Sequence, residues 1–292
     1  MIHLNRVATF LAVAACGGFR EAAKQTGLSQ SAVTQHVKRL ERALNVNLIN
    51  RSNVGSTLTL AGQTFLPYAE NLIKTFDRAK ALFEKCSVAV GASSNIGIYL
   101  LQPYLKAYKE ISTCKVELII TDNPAVADKL ERFEIDVAIM EWWDHRPGFA
   151  ATVWRQEELV VIVPKNHPWA HLRSIPRTSL WGHDLLGGEA GTGTGRILQE
   201  YLGGAARSVG VSMQLGSTEA VKNAVRAGLG ISLVMASSVE HESRNGELCA
   251  IQIDEIPPRK KLYVIRRESR EHDAPALAFA NFLLRPECVD PQ

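Results

Sequence analysis

Three short stretches put hydroxyls, amides and glycines where the chain turns from an apolar strand into a helix. They are Ala92-Ser93-Ser94-Asn95, the glycine-rich Glu189-Ala190-Gly191-Thr192-Gly193-Thr194-Gly195-Arg196, and Gly216-Ser217-Thr218. Met140-Glu141-Trp142-Trp143 closes a further apolar strand. The free amides of a helix start, joined by hydroxyls, favour a small anion such as a carboxylate, phosphate or sulfate. Arg196 offers such an anion a bidentate partner. The candidate ligand contacts are therefore Ser93, Ser94, Asn95, Glu141, Thr192, Thr194, Arg196, Ser217 and Thr218. Plainer roles stay open. Ser93, Ser94, Ser217 and Thr218 are also ordinary helix caps. Glu141 disfavours a nearby anion unless a cation pairs with it, and Trp142 and Trp143 fit either a core or a cleft wall.

A second set of donors lies near the N-terminus. In Ser29-Gln30-Ser31-Ala32-Val33-Thr34-Gln35-His36-Val37-Lys38-Arg39-Leu40, the residues Ala32, Val33, Val37 and Leu40 recur at helical spacing and mark a core face. Gln30, Ser31, Thr34, Gln35, Lys38 and Arg39 fall largely on other faces, and all can donate hydrogen bonds. Ser29 can cap this helix, and Gly27 can supply the left-handed turn that ends the helix before it. Two helices about a tight turn, the second rich in donors, describe a helix-turn-helix whose second helix enters the major groove. Ser29, Gln30, Ser31, Thr34, Gln35, Lys38, Arg39 and Arg51 are the expected contacts to double-stranded DNA. For Arg51 a salt bridge within its own hairpin is an equal reading.

Bond-making chemistry is unmarked. His167 and His171 are four apart, but Pro168 spoils a metal-binding helix face and no carboxylate accompanies them. No Gly-x-Ser-x-Gly turn occurs. The expectation is a binding protein that is not an enzyme and carries no cofactor or metal beyond a small effector.

These donors need elements to hold them. Leu4, Val7, Ala8, Leu11 and Ala15 predict a first helix over 3–16, stopped by Gly17-Gly18. The polar, β-branched stretch from Asn50 to Thr59 suits a two-stranded wing, with Arg51, Ser52 and Asn53 placed to meet phosphates. A long helix capped by Thr59 is expected to about residue 85. Its Phe65, Ala69, Leu72, Phe76, Ala79 and Phe83 keep an average spacing of 3.5, which is that of a coiled-coil seam and predicts a dimer, the alternative being a helix packed on its own domain. Beyond Cys86 strands and helices alternate. Strands are expected at 87–92, 116–120, 136–140, 159–163, 184–187, 211–215, 231–234 and 261–265, with helices at 96–109, 124–132, 194–202, 218–227 and 274–284. We read this as two doubly wound parallel α/β lobes, in which ligands bind beyond the carboxyl ends of strands.

Bulk properties agree with a two-part chain. Residues 1–58 hold seven Lys/Arg against two Asp/Glu, a net +5, which leaves −2 for the remainder. A basic head on a mildly acidic body fits a phosphate-facing module. No apolar run approaches the ~18–20 residues that cross a bilayer, and no signal-peptide pattern opens the sequence, so no membrane partner and a cytoplasmic location are expected. Cys16, Cys86, Cys114, Cys249 and Cys288 are scattered, odd in number and without a Cys-x-x-Cys pair. They read as reduced thiols, though separation in sequence does not fix separation in space.

The chain resembles the LysR-type transcriptional regulators. The resemblance rests on Phe10, Gly18-Phe19, Ala22-Ala23, Ser29-Gln30-Ser31-Ala32-Val33-Thr34, Leu40-Glu41, Leu48-Ile49-Asn50-Arg51 and Leu58-Thr59-Leu60-Ala61-Gly62. Thr34 and Ile49 stand where that family usually has Ser and Phe. The resemblance implies an α+β multi-domain chain: a winged helix-turn-helix over 1–58, a linker (dimerisation) helix over 59–86, and a two-lobed periplasmic-binding-protein-like effector domain over 87–292. Lobe I would take 87–162 and 265–292, and lobe II 163–264. It also implies a sequence-specific DNA-binding regulator controlled by a small effector in the interlobe cleft. Partners would be promoter DNA, a homodimer through the linker helix assembling as a dimer of dimers, and RNA polymerase if the protein activates. A solute-binding protein would explain residues 87–292 but not the basic head, and an α/β enzyme lacks a nucleophile–base pair.

Overall fold

The computed structural model describes residues 2–52, 55–84, 86–189, 191–202, 210–254, 257–268 and 274–285. The chain divides into two compact units, residues 1–85 and 86–292.

In the first unit α1 (Leu4–Cys16), α2 (Phe19–Thr26) and α3 (Gln30–Leu44) pack around Val7, Phe10, Val13, Ala22, Val33, Val37 and Leu40. Gly27 takes φ 69° and lets the chain reverse out of α2. The Ser29 hydroxyl accepts from the Ala32 N–H at 3.2 Å and starts α3. Thr9 and His36 share a hydrogen bond of 2.9 Å that ties α1 to α3. β1 (Ile49–Ser52) and β2 (Gly55–Leu58) form the antiparallel wing, with Ile49 opposite Leu58. Glu41 Oε1 accepts from the Leu48 and Ile49 amides, so a carboxylate on α3 holds the base of the wing. The expected phosphate contact of Asn53 and the side chains of Arg51 and Ser52 lie outside the described residues.

α4 (Leu60–Glu84) begins where the Thr59 hydroxyl accepts from the Gly62 amide. A Cβ built at Gly62 would overlap the Leu48 carbonyl oxygen, so only glycine lets α4 approach the wing this closely. The seam expected along α4 divides. Ala69 is buried and Phe65 half-buried on the unit's own core, with the Phe65 ring 5.6 Å from that of Phe10. Leu72 and Phe76 are 45% and 48% exposed. A 3.5-residue period marks an apolar stripe but not what covers it, and here the first part of the stripe is covered from within.

The second unit begins with β3 (Ser87–Ser93), a π-helical turn (Ile96–Leu100), α5 (Gln102–Ile111), β4 (Lys115–Thr121), α6 (Asn123–Glu131) and β5 (Val137–Met140). The single helix expected over 96–109 is thus split. Pro103 has no N–H to continue the ladder, and the turn before it closes by Leu101 N–H donating to the Ile96 carbonyl.

β6 (Phe149–Pro164) is much longer than the strand expected at 159–163. β7 (Ser174–Ile175), β8 (Asp184–Gly187), α7 (Thr194–Leu202), β9 (Gly210–Gln214), α8 (Thr218–Arg226), β10 (Ser232–Met235), α9 (Glu240–Arg244) and β11 (Leu248–Ile253) follow. β12 (Arg259–Arg267) and α10 (Ala274–Leu283) complete the described chain.

The main sheet runs β4-β3-β5-β12-β6-β11-β7, with β10 also paired to β6. It is mixed rather than wholly parallel. β3 is parallel to β4 and β5, whereas β12 is antiparallel to β5 and β6. The reason is topological: the chain leaves the first lobe along β6 and re-enters along β12, so the two connections run in opposite senses. β6 pairs with β12 along 149–158 and with β10 and β11 along 159–164. The change of partner therefore comes between Glu158 and Leu159, before the 162/163 boundary expected. All of β12 pairs with lobe I strands, so the return falls ahead of Arg259 rather than at 264/265.

Candidate functional site

The segment after β3, the strands β8 and β10, the start of β12, the glycine-rich loop before α7 and the start of α8 meet around a cavity of about 230 Å³. Asn95, Glu189, Thr192, Thr194, Thr218 and Lys260 bring polar atoms to its wall, and Leu186, Leu198, Val221 and Leu233 are among its apolar lining. A cavity that joins apolar wall to fixed polar groups is suited to a small polar molecule.

Its polar groups form a continuous chain. Lys260 Nζ donates to Glu141 Oε2 at 2.8 Å and to Thr194 Oγ1 at 2.7 Å. Glu141 also accepts from Ser93 Oγ at 3.3 Å and from Asn95 Nδ2 at 3.2 Å. Glu141 and Lys260 are 2% and 1% exposed, so this ion pair sits where an unpaired charge would be very costly. Thr218 Oγ1 donates to Asn95 Oδ1 at 2.7 Å, and the Thr192 and Thr194 hydroxyls lie 3.3 Å apart. Asn123 holds the backbone beside Glu141: its Oδ1 accepts from the Glu141 amide at 3.0 Å and its Nδ2 donates to the Trp142 carbonyl at 2.9 Å.

Contacts with α8 also join the lobes directly. Thr218 on α8 reaches Asn95 after β3, and Tyr99 of the π-helical turn donates to Glu219 of α8 at 2.6 Å. Burial and the Glu219 bond push the Tyr99 phenol well above its ordinary range, so it stays a donor. Lys222, itself buried, carries the contact inward to Glu219, to Glu242 at 2.6 Å and to the Ser238 carbonyl.

The expected residues thus separate into groups. Ser93, Asn95, Glu141, Thr192, Thr194 and Thr218 are joined in one network. Ser94 faces an adjoining surface pocket with Glu189, and Ser217 caps α8 by accepting from the Ala220 amide. Arg196 is not in the cavity lining; its guanidinium lies 3.9 Å over the Trp142 ring. Trp143 is core, packed edge-on to Phe149. Lys260, Asn123 and Glu189 were not among the expected contacts. Lys260 sits in an ordinary basic run, Arg259-Lys260-Lys261, where alternation along a strand is the one hint that it faces inward. Burial holds the Glu189 carboxyl above the usual carboxylate value and the Glu141 charge adds to this, while hydrogen bonds from Ser94 and the Asn123 amide oppose it.

On α3, Gln30, Ser31, Gln35, Lys38 and Arg39 are exposed and Thr34 is half-buried, on the side away from Val33, Val37 and Leu40. The Ser29 hydroxyl is occupied by its cap and by Ser31 at 2.9 Å. Among the described residues no group of three or more His, Cys, Asp or Glu could hold a metal ion, and no helix is long and apolar enough to cross a membrane.

A helix-turn-helix with an open donor face, on one chain with a two-lobed small-molecule module, defines a ligand-responsive transcriptional regulator. Residues 4–63 match the family described as bacterial regulatory helix-turn-helix protein, lysR family, and residues 85–286 match the LysR substrate binding domain; the chain belongs to the LysR family of transcriptional regulators. Among curated relatives, the "Putative HTH-type transcriptional regulator protein PtxE" of Stutzerimonas stutzeri is 40% identical over 188 residues, 64% of this chain and 96% of that protein. The RuBisCO operon transcriptional regulator of Allochromatium vinosum is 25% identical over 97% of this chain and 96% of its own length. The fold is that of full-length CbnR complexed with target DNA, with a TM-score of 0.74, 21% identity and coverage of 97% and 99% of the two chains. The regulatory domain of Synechocystis PCC6803 CcmR in complex with 2-PG matches 68% of this chain and 95% of its own, at 24% identity and a TM-score of 0.60.

Proposed function

We propose that this regulator answers to a small acid that also carries a hydrogen-bond donor, bound in the interlobe cavity. The observation that supports this is the buried Lys260 ammonium at the cavity wall, shared between Glu141 and Thr194. It supplies the cation that the sequence assigned to Arg196. An acid group reaching Lys260 would also meet the Thr194 and Thr218 hydroxyls. Because Glu141 and Glu189 stand nearby, a bare anion would face repulsion, and a ligand hydroxyl or ammonium donating to a carboxylate relieves it. The 2-PG in the CcmR complex is the ligand of a relative and marks a starting point for a screen.

Under the same proposal Gln30, Ser31, Thr34, Gln35 and Lys38 contact base edges or phosphates, with Arg39 and Arg51 on the backbone. The exposed stripe Leu72 and Phe76 of α4 pairs with a second chain, and pairs of dimers span a bent operator. RNA polymerase is a partner where the promoter geometry gives activation. The protein works in the cytoplasm, without a cofactor and without catalysis. The test is a thermal-shift screen of the full chain against hydroxy acids, amino acids and phosphomonoesters, followed by gel shifts on the DNA upstream of its gene. A ligand that binds only the folded state raises Tm by mass action. Stabilisation by neutral analogues as strong as that by the acids would exclude the charged-site reading.

A further inference from the structure

Cys86 and Cys114 are 28 residues apart in sequence and neighbours in the sheet. The parallel ladder between β3 and β4 starts at Ser87 opposite Lys115, and the Lys115 N–H donates to the Cys86 carbonyl at 3.0 Å. Cys86 therefore stands opposite Cys114, one step before the ladder begins. Both precede by two the paired residues Val88 and Val116, so by strand alternation they face the same side. The Cys86 thiol is close enough to help raise the Cys114 thiol above its ordinary value. Register partners in adjacent strands lie about 4.8 Å apart, inside the ~4.4–6.8 Å Cα range of a disulfide. The two differ in access: Cys86 is exposed and Cys114 is buried.

We propose that Cys86 and Cys114 are a peroxide-oxidisable dithiol, which closes to an intramolecular disulfide between β3 and β4. Cys86, the accessible thiol, attacks one oxygen of a hydroperoxide as its thiolate. The S–O bond forms, the O–O bond breaks, and the second oxygen leaves as water or an alcohol. Cys114 Sγ then attacks the Cys86 sulfur of the sulfenic acid. The S–S bond forms, the S–O bond breaks, and the departing hydroxide takes the Cys114 proton as water. Two thiols and one hydroperoxide thus give a disulfide, one water and one further water or alcohol.

The environment assigns these roles. Burial, and then the neighbouring Cys86 thiol, push the Cys114 thiol up to about 12, so it holds its proton until the second step. Cys16 is engaged elsewhere, donating to Gln25 Oε1 at 2.8 Å, and Cys249 lies on β11. The disulfide would pin the first residue of the second unit, where the chain has just left α4, to the neighbouring strand.

The test is to treat the full-length protein with hydrogen peroxide, block free thiols, digest with trypsin without reductant, and map the peptides. The expected product links residues 86–106 to residues 110–115 and is released by reductant. Oxidation should raise Tm by several degrees, since a cross-link restricts the unfolded chain, and this rise should vanish in Cys86→Ser. Because Cys114→Ser disturbs a buried site, Cys86→Ser is the primary variant, and its unoxidised Tm controls for folding. Cys86 recovered only as sulfinic or sulfonic acid, joined to Cys86 of a second chain, or linked to another cysteine would overturn the proposal.

Discussion

Lys260 Nζ lies 2.8 Å from Glu141 Oε2 across a contact that spans 119 residues of sequence, with both side chains buried. The pair sits at the junction of the cleft: Glu141 follows a lobe I strand, and Lys260 opens the strand that returns from lobe II. Through Thr194 the same ammonium touches the loop that starts α7.

Breaking this pair from one side leaves a buried charge alone. Lys260→Met or Glu141→Leu should each cost about 3–5 kcal/mol, whereas the double variant should recover most of that loss. Urea unfolding of the three proteins measures it. Under the proposed function the double variant should nevertheless lose its stabilisation by acidic ligands, because the ammonium at the cavity wall is gone.

The α3 donors should divide by salt dependence. Gln35→Ala is expected to cost roughly 1–3 kcal/mol on the preferred operator and to relax its specificity. Lys38→Ala should weaken binding to all sequences and lower the log K versus log salt slope by about 1. Ser29→Ala should act differently, lowering stability by about 1 kcal/mol through its lost cap. Gel shifts over a salt series, beside melting curves, separate the three.

Along α4 two substitutions of similar chemistry should behave oppositely. Phe76→Asp places a charge on an exposed site and should shift sedimentation from dimer towards monomer while helicity is kept. Ala69→Asp buries a charge in the first unit's core and should unfold that unit instead. Retained dimers in Phe76→Asp would remove this stripe from the interface.

Glu189 gives a pH signature. Its folded-state value is raised, chiefly by burial, so the folded chain binds the proton more readily than the unfolded chain. Stability from this group therefore falls as pH rises from the ordinary carboxylate value through the raised one. Glu189→Gln, which keeps an acceptor for the Asn123 amide, should raise Tm at neutral pH and flatten that fall. Below the ordinary value the variant and parent should converge.

Gly62→Ala should destabilise the first unit by about 1–3 kcal/mol, because the added methyl meets the Leu48 carbonyl and α4 must move. Circular dichroism melts would read this directly, and an unchanged melt would show that the contact relaxes freely.

Local patterns settled a large part of this protein before any contact was known. The Gly27 turn, the Ser29 cap and the Val33–Val37–Leu40 face follow from interactions within a few residues, and so do the strand-to-helix starts at Ser93, Thr194 and Thr218. Tertiary structure decided what depends on distance in space. It placed Lys260 rather than Arg196 beside the interlobe cavity, because strand alternation turns one lysine of a basic run inward while Arg196 finds Trp142. It turned Phe65 and Ala69 of the α4 stripe towards their own core and left Leu72 and Phe76 open. It brought Cys86 and Cys114 to facing positions through strand register. Sequence spacing records which face of an element is apolar or charged; only the packed chain determines what that face meets.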